Sequence, residues 1–131
     1  MNYLGLDWGK SKLGIAFGSD VTKLASPIMI LDFKTYTEAI EKLKELVEKE
    51  EVEVIVLGKP VSLSGKDSLS KDYNKFVALL EGLEGVKIEF EDERLSTKLA
   101  GQLNREFKGY KKVGDDDLAA AAILQTYFDR M

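Results

Sequence analysis

A single acid inside an apolar run limits what this chain can become. Tyr3-Leu4-Gly5-Leu6-Asp7-Trp8-Gly9 continues as Lys10-Ser11-Lys12-Leu13-Gly14-Ile15-Ala16-Phe17: an apolar strand, a short glycine-containing turn and a second apolar strand. Such runs fit strands buried on both faces, and Asp7 breaks the pattern. An ionised carboxylate in a sheet interior is costly unless Arg, Lys or a bound cation compensates it, and carboxylate oxygens are hard ligands for cations. The flanking glycines, Gly5 and Gly9, are expected to keep the backbone open for an approaching ligand. The competing reading of Asp7 is a turn acid that accepts hydrogen bonds from nearby backbone N–H groups.

The rest of the chain alternates strands and helices. Ser26 to Leu31 reads as a short third strand with Pro27 near its start. Thr35 to Glu51 reads as an amphipathic helix: Thr35 and Glu38 have capping-box spacing, and Ala39, Ile40, Leu43, Leu46 and Val47 form one stripe. Val52 to Leu57 is a β-branched strand ending in Gly58-Lys59-Pro60. A helix carrying Tyr73, Phe76, Val77 and Leu80 closes at Gly82, and the strand Val86 to Phe90 runs into Glu91-Asp92-Glu93-Arg94. A further helix is expected from about Ser96, with Leu99, Leu103 and Phe107 on one face. The basic segment Lys108 to Lys112 follows, and then a last helix from about Asp115 to Tyr127. An antiparallel hairpin followed by crossover units predicts one α/β domain over residues 1–131.

Composition narrows the chemistry. The chain of 131 residues is 44% hydrophobic and 32% charged, with a net charge of −4, so bulk charge does not advertise a nucleic-acid partner. It has neither His nor Cys, which excludes imidazole bases, thiolate nucleophiles, disulfides and His-ligated zinc. Carboxylates, lysines and hydroxyls remain. The sequence shows no signal peptide and no long apolar run, which predicts a cytoplasmic protein with no membrane part.

The acids fall in three places: Asp7 in the first strand, Asp92 and Glu93 at a strand end, and Asp115-Asp116-Asp117 opening the last helix. Each has an ordinary reading, as a turn acid, a solvated strand end and helix capping. Ligands of open α/β sheets gather at the carboxyl ends of strands. Asp7 and Glu93 can converge there if their strands lie close together, and the last helix could bring a third carboxylate. Divalent ions clamping attacking and leaving oxygens are the known use of such a set. Mg²⁺ suits it, because it takes a few carboxylates and completes its shell with water and phosphate oxygens.

Four motifs in order carry a resemblance. They are Gly5-Leu6-Asp7-Trp8-Gly9; Val56-Leu57-Gly58-Lys59-Pro60 with Ser64-Gly65; Asp92-Glu93-Arg94-Leu95-Ser96-Thr97; and Asp116-Asp117-Leu118-Ala119-Ala120 with Ile123-Leu124-Gln125-Thr126-Tyr127. Together they resemble the YqgF/RuvX family over nearly the whole chain. The resemblance implies a ribonuclease H-like fold, a five-stranded mixed sheet beginning with three antiparallel strands and flanked by helices. It implies a metal-dependent nuclease that matures the 5′ end of pre-16S rRNA or, alternatively, resolves Holliday junctions in branched DNA. It places the catalytic, metal-binding acids at Asp7, Glu93 and Asp116, holding one or two Mg²⁺ or Mn²⁺ ions. Lys12, Lys59, Arg94, Lys111 and Lys112 would position phosphates of RNA or DNA. Asp20, Asp92 and Asp117 are candidates for a fourth ligand, and a symmetric junction substrate would favour a homodimer.

The chain departs from the family at three positions: Lys12 stands where Arg is usual, Lys59 where an apolar residue is common, and Trp8 where a small aliphatic is usual. Lys12 keeps the charge but loses the bidentate fork of Arg. Two other classes stay open at this point. A nucleic-acid-binding module of the same fold would not cleave. An actin-like ATPase would need a second domain to close over the nucleotide.

Overall fold

The computed structural model describes residues 1–9, 11–59, 68–92 and 115–131, together with their side chains except those of residues 68–70, 92 and 115–117. Five strands and three helices are described: β1 (Asn2–Trp8), β2 (Lys12–Ser19), β3 (Leu24–Asp32), α1 (Tyr36–Lys49), β4 (Val52–Lys59), α2 (Ser68–Leu80), β5 (Lys87–Asp92) and α3 (Asp115–Asp129). The strands form one sheet in the order β3-β2-β1-β4-β5. Strands β1, β2 and β3 are antiparallel neighbours, while β1, β4 and β5 run parallel. This is the expected mixed five-stranded architecture. The helix expected from Ser96 and the basic segment Lys108 to Lys112 lie outside the described residues.

Period-two alternation sends the side chains of β1 to opposite faces. Leu4 and Leu6 join Leu13, Ile15, Ile55 and Leu57 beneath α1 and α2, with Leu43, Phe76 and Leu80 from the helices. Tyr3 joins Ala16, Val54 and Val56 beneath α3, which contributes Ala120, Ala121, Ile123, Leu124 and Phe128. The predicted stripe of α1 faces the first cluster: Ala39 and Leu43 are buried, and Ile40, Leu46 and Val47 pack against it.

Several element ends differ from expectation, each for a local reason. Helix α1 starts one residue later because Thr35 is its cap, with its side-chain oxygen accepting from Glu38 N–H at 3.1 Å. The Glu38 carboxylate accepts from Lys34 N–H rather than from the cap's own N–H. The helix stops at Lys49 because Glu51 adopts φ +53°, outside the helical region. Strand β3 is longer than expected. Its Pro27 lies inside it, tolerated on an edge strand where the register shifts between Ile15 and Ala16. Strands β4 and β5 both run on past Leu57 and Phe90, to Lys59 and Asp92.

Helix α3 sits unusually close to the sheet. A Cβ added to Gly5 would lie 2.7 Å from both the Ala120 carbonyl oxygen and the Leu124 Cβ. One added to Gly18 would lie 2.7 Å from the Phe128 ring. These glycines, with Ala16 and the Ala119–Ala122 run, let the helix backbone approach the strands. Gly5 therefore makes room for α3 rather than for a ligand, a correction to the sequence reading. Gln125 fixes the helix at the other side of the sheet, accepting from Ala25 N–H at 3.0 Å and donating to the Lys23 carbonyl at 2.9 Å. No helix among the described residues is long and apolar enough to cross a membrane.

Candidate active site

The carboxyl ends of β1, β4 and β5 share one edge of the sheet, and the start of β2 lies there too. Asp7 is registered with Gly14 of β2, and Trp8 with Leu13. On the other side Leu6 is registered with Leu57, which is registered with Phe90. Asp7 is half-buried and alternates onto the α3 face with Tyr3 and Gly5. Its registered neighbour on that face is Gly14 on β2; Gly58 on β4, which alternation from Val54 and Val56 assigns to the same face, lies one residue beyond the last β1–β4 pair, Leu6–Leu57. Both are buried, and neither has a side chain to cover the carboxylate.

The register between β1 and α3 brings a second acidic segment to this edge. Tyr3 packs on Tyr127 and Phe128, with ring centroids 5.8 and 5.1 Å apart, and Gly5 lies under Ala120 and Leu124. The helix therefore runs antiparallel to the strand. Two strand residues advance about 6.7 Å and four helix residues about 6 Å. One more step carries β1 from Gly5 to Asp7 and α3 back from Ala120 to Asp116. The backbone of Asp115–Asp117 thus begins α3 at the level of Asp7. The side chain of Asp116 lies outside the description, as do Glu93, Arg94, Lys111 and Lys112. Glu93 follows Asp92, which closes β5, and β5 is separated from β1 by β4 alone.

The cationic candidates divide. Lys12 is exposed and alternates onto the face of Asp7, opposite Asp32 of β3. Lys59 is exposed at the same edge, but alternation from Ile55 and Leu57 assigns it to the α1/α2 face. Of the fourth-ligand candidates, Asp20 is at the wrong end. It receives the Met1 N-terminus at 2.9 Å, beyond the pair Asn2–Ser19, and the length of β1 separates it from Asp7. Asp92 is registered with Lys59 at the correct edge.

Two features were not legible in the sequence. Glu91 is only 3% exposed, and the Arg130 guanidinium pairs with its carboxylate. Nothing in the local pattern linked a strand-end acid to the penultimate residue of the chain. Tyr73, read as a core position, donates its hydroxyl to the Gly58 carbonyl at 3.1 Å and packs edge-on against Trp8, with centroids 5.5 Å apart and planes at 87°. The Trp8 indole N–H is buried and has no hydrogen-bond partner among the described residues, a condition that costs about 1–3 kcal/mol.

The donor set fits hard divalent cations. A half-buried aspartate lies beside Gly14 of β2, level with the start of an acid-opened helix, in a chain without His or Cys. Among the described residues no group of three ligating side chains is assembled, since two of the three predicted acids fall outside them.

A mixed sheet of this order, with helices on both faces and an acid at the carboxyl end of its first strand, is the ribonuclease H-like fold. Thermus thermophilus RuvC, solved in complex with a Holliday junction, has the same fold: TM-score 0.78 over 99% of this chain and 94% of that one, at 12% identity. The chain belongs to the RuvX family, described as Holliday junction resolvase, whose model matches residues 1–130. Relatives called "Putative pre-16S rRNA nuclease" include one from Dictyoglomus thermophilum, 32% identical over 98% of this chain and 96% of the relative. Another, from Anaeromyxobacter, is 35% identical over 98% and 97%.

Proposed function

We propose that this protein hydrolyses phosphodiesters of RNA in the 5′-end maturation of pre-16S rRNA, in the cytoplasm, using one or two Mg²⁺ or Mn²⁺ ions held by Asp7, Glu93 and Asp116. The observation that carries the reading is the placement of Asp7: a carboxylate at the carboxyl end of β1, registered with Gly14 of β2, with the acidic start of α3 one helical turn beyond Ala120. Relatives bearing the rRNA name at 32% and 35% identity over nearly the full chain favour the RNA substrate.

Asp7 would hold an ion, because pairing with β2 fixes its backbone at the carboxyl end of β1. Asp116 would approach from α3 and Glu93 from the continuation of β5. Ions held there would supply positive charge to the reacting phosphate and acidify water, so that no imidazole base would be needed. Lys12, on the Asp7 face, would hold a phosphate close to the acids. Lys59, with Arg94, Lys111 and Lys112, would steer the neighbouring backbone without reading sequence.

The test is cleavage of a labelled pre-rRNA 5′ leader, an unrelated single-stranded RNA and a four-way DNA junction, with and without Mg²⁺ or Mn²⁺. Metal-dependent cutting of the leader that falls at least about 100-fold in Asp7→Asn, as expected when charge stabilisation at the reacting group is removed, would support the proposal. The family description supplies the second reading: preferential, symmetric cutting of the junction by a homodimer would replace rRNA with branched DNA. Nucleic-acid binding without cleavage would reduce the chain to a binding module.

A further inference from the structure

The ladder between β1 and β4 ends before either strand does. Its last registered pair is Leu6–Leu57, although β1 runs on to Trp8 and β4 to Lys59. Asp7 and Trp8 remain registered with β2, and Gly58 and Lys59 with β5. The sheet therefore splits beside Asp7. Among the described residues a side-chain bridge spans the split on the opposite face. The Trp8 ring, on β1, meets the edge of Tyr73 of α2, and the Tyr73 hydroxyl holds the Gly58 carbonyl of β4. Tyr73 is 6% exposed, so solvent does not compete strongly for that hydrogen bond.

We infer that Trp8 and Tyr73 are positioning residues that set the width of the split, and so the distance between Asp7 and the β4–β5 side of the metal site. The inference rests on the metal-site reading above. A backbone pair in continuous ladder is held by its own hydrogen bonds, but once the ladder stops the two ends are free to shear. Among the described residues the shear is resisted by the Trp8–Tyr73 ring contact and by the hydrogen bond from the Tyr73 hydroxyl to the Gly58 carbonyl. The tryptophan also explains itself this way. Its indole N–H is buried with no partner among the described residues, while its ring reaches from β1 to Tyr73.

Trp8 is the single tryptophan of the chain and adjoins Asp7, so quenching of its emission by Mn²⁺ reads the site without any substrate. Tyr73→Phe keeps the ring contact and removes only the hydroxyl. We expect it to raise the Mn²⁺ concentration for half-quenching by roughly 10-fold, the low end for losing an outer-shell partner of a metal site. Cleavage should need correspondingly more metal, while KM for nucleic acid stays put. Leu43→Ala, in the same core but away from the split, should lower the melting temperature and leave the Mn²⁺ midpoint unchanged. An unaltered midpoint in Tyr73→Phe overturns the positioning role and leaves the nuclease reading intact. Quenching that is absent in the wild type, or unchanged in Asp7→Asn, removes the metal site and this inference together.

Discussion

The two faces of the sheet are packed on opposite principles. Under α1 and α2 the sheet presents Leu4, Leu6, Leu13, Ile15, Ile55 and Leu57, and the helices answer with Leu43, Phe76 and Leu80. Large side chains hold those helices off the strands and make a thick core. Under α3 the sheet presents Gly5, Ala16 and Gly18 beside Tyr3, Val54 and Val56, and the helix seats Ala120 and Leu124 directly on Gly5 and Phe128 on Gly18. Backbone meets side chain there with no spacer. The thick face supplies stability, and its tolerance comes from many redundant contacts. The thin face supplies position, because a helix seated on glycine has one height and one register. That register is what brings the start of α3 level with Asp7.

The contrast can be broken most sharply at the thin face. Gly5→Val would drive branched carbons into the Ala120 carbonyl and Leu124, where even one added carbon lies 2.7 Å away. We expect loss of cooperative unfolding or destabilisation of more than about 3 kcal/mol, the upper end for overpacking, read by chemical denaturation. Leu43→Ala on the thick face leaves a cavity instead, and should cost about 2–5 kcal/mol with the fold retained. If Gly5→Val were the milder change, the close seating of α3 would be wrong.

Smaller effects belong to the start of α1, away from both faces. Thr35→Ala removes the side-chain acceptor of Glu38 N–H and should cost about 1 kcal/mol. Glu38 adds a pH dependence. The Lys34 N–H, and then the Lys42 ammonium at 3.2 Å, hold its carboxyl below the usual range. A depressed carboxylate stabilises the fold above its unfolded pKa, and that contribution is lost as pH falls through the folded value. The melting temperatures of wild type and Glu38→Gln should therefore differ at neutral pH and converge in acid. A gap that widens on acidification would contradict the assignment.

Much of this was legible because local rules governed it. Asp7 stood out because its neighbours are apolar, the cap at Thr35 followed from its spacing to Glu38, and the stripes of α1 and α2 faced the core they predicted. What was not legible depends on partners far along the chain. Gly5 was read as space for a ligand because nothing nearby shows that Ala120 and Leu124 fill it. Asp20 looked equivalent to Asp92 until antiparallel pairing set it beside Met1. Tyr73 has helical periodicity like any core residue, and its hydroxyl gains meaning only when β4 lies beneath it. Glu91 acquires Arg130 across 39 positions, a separation at which periodicity carries no information.

The account turns on Asp7 and Asp116 acting at one place, and calorimetric titration of Mn²⁺ into four proteins tests that directly: wild type, Asp7→Asn, Asp116→Asn and Asp20→Asn. The prediction is that Asp7→Asn and Asp116→Asn each weaken binding at least about 10-fold, as loss of a coordinating carboxylate should, while Asp20→Asn binds as the wild type does. Wild-type affinity in Asp116→Asn would contradict it, and would mean that the close seating of α3 serves packing alone.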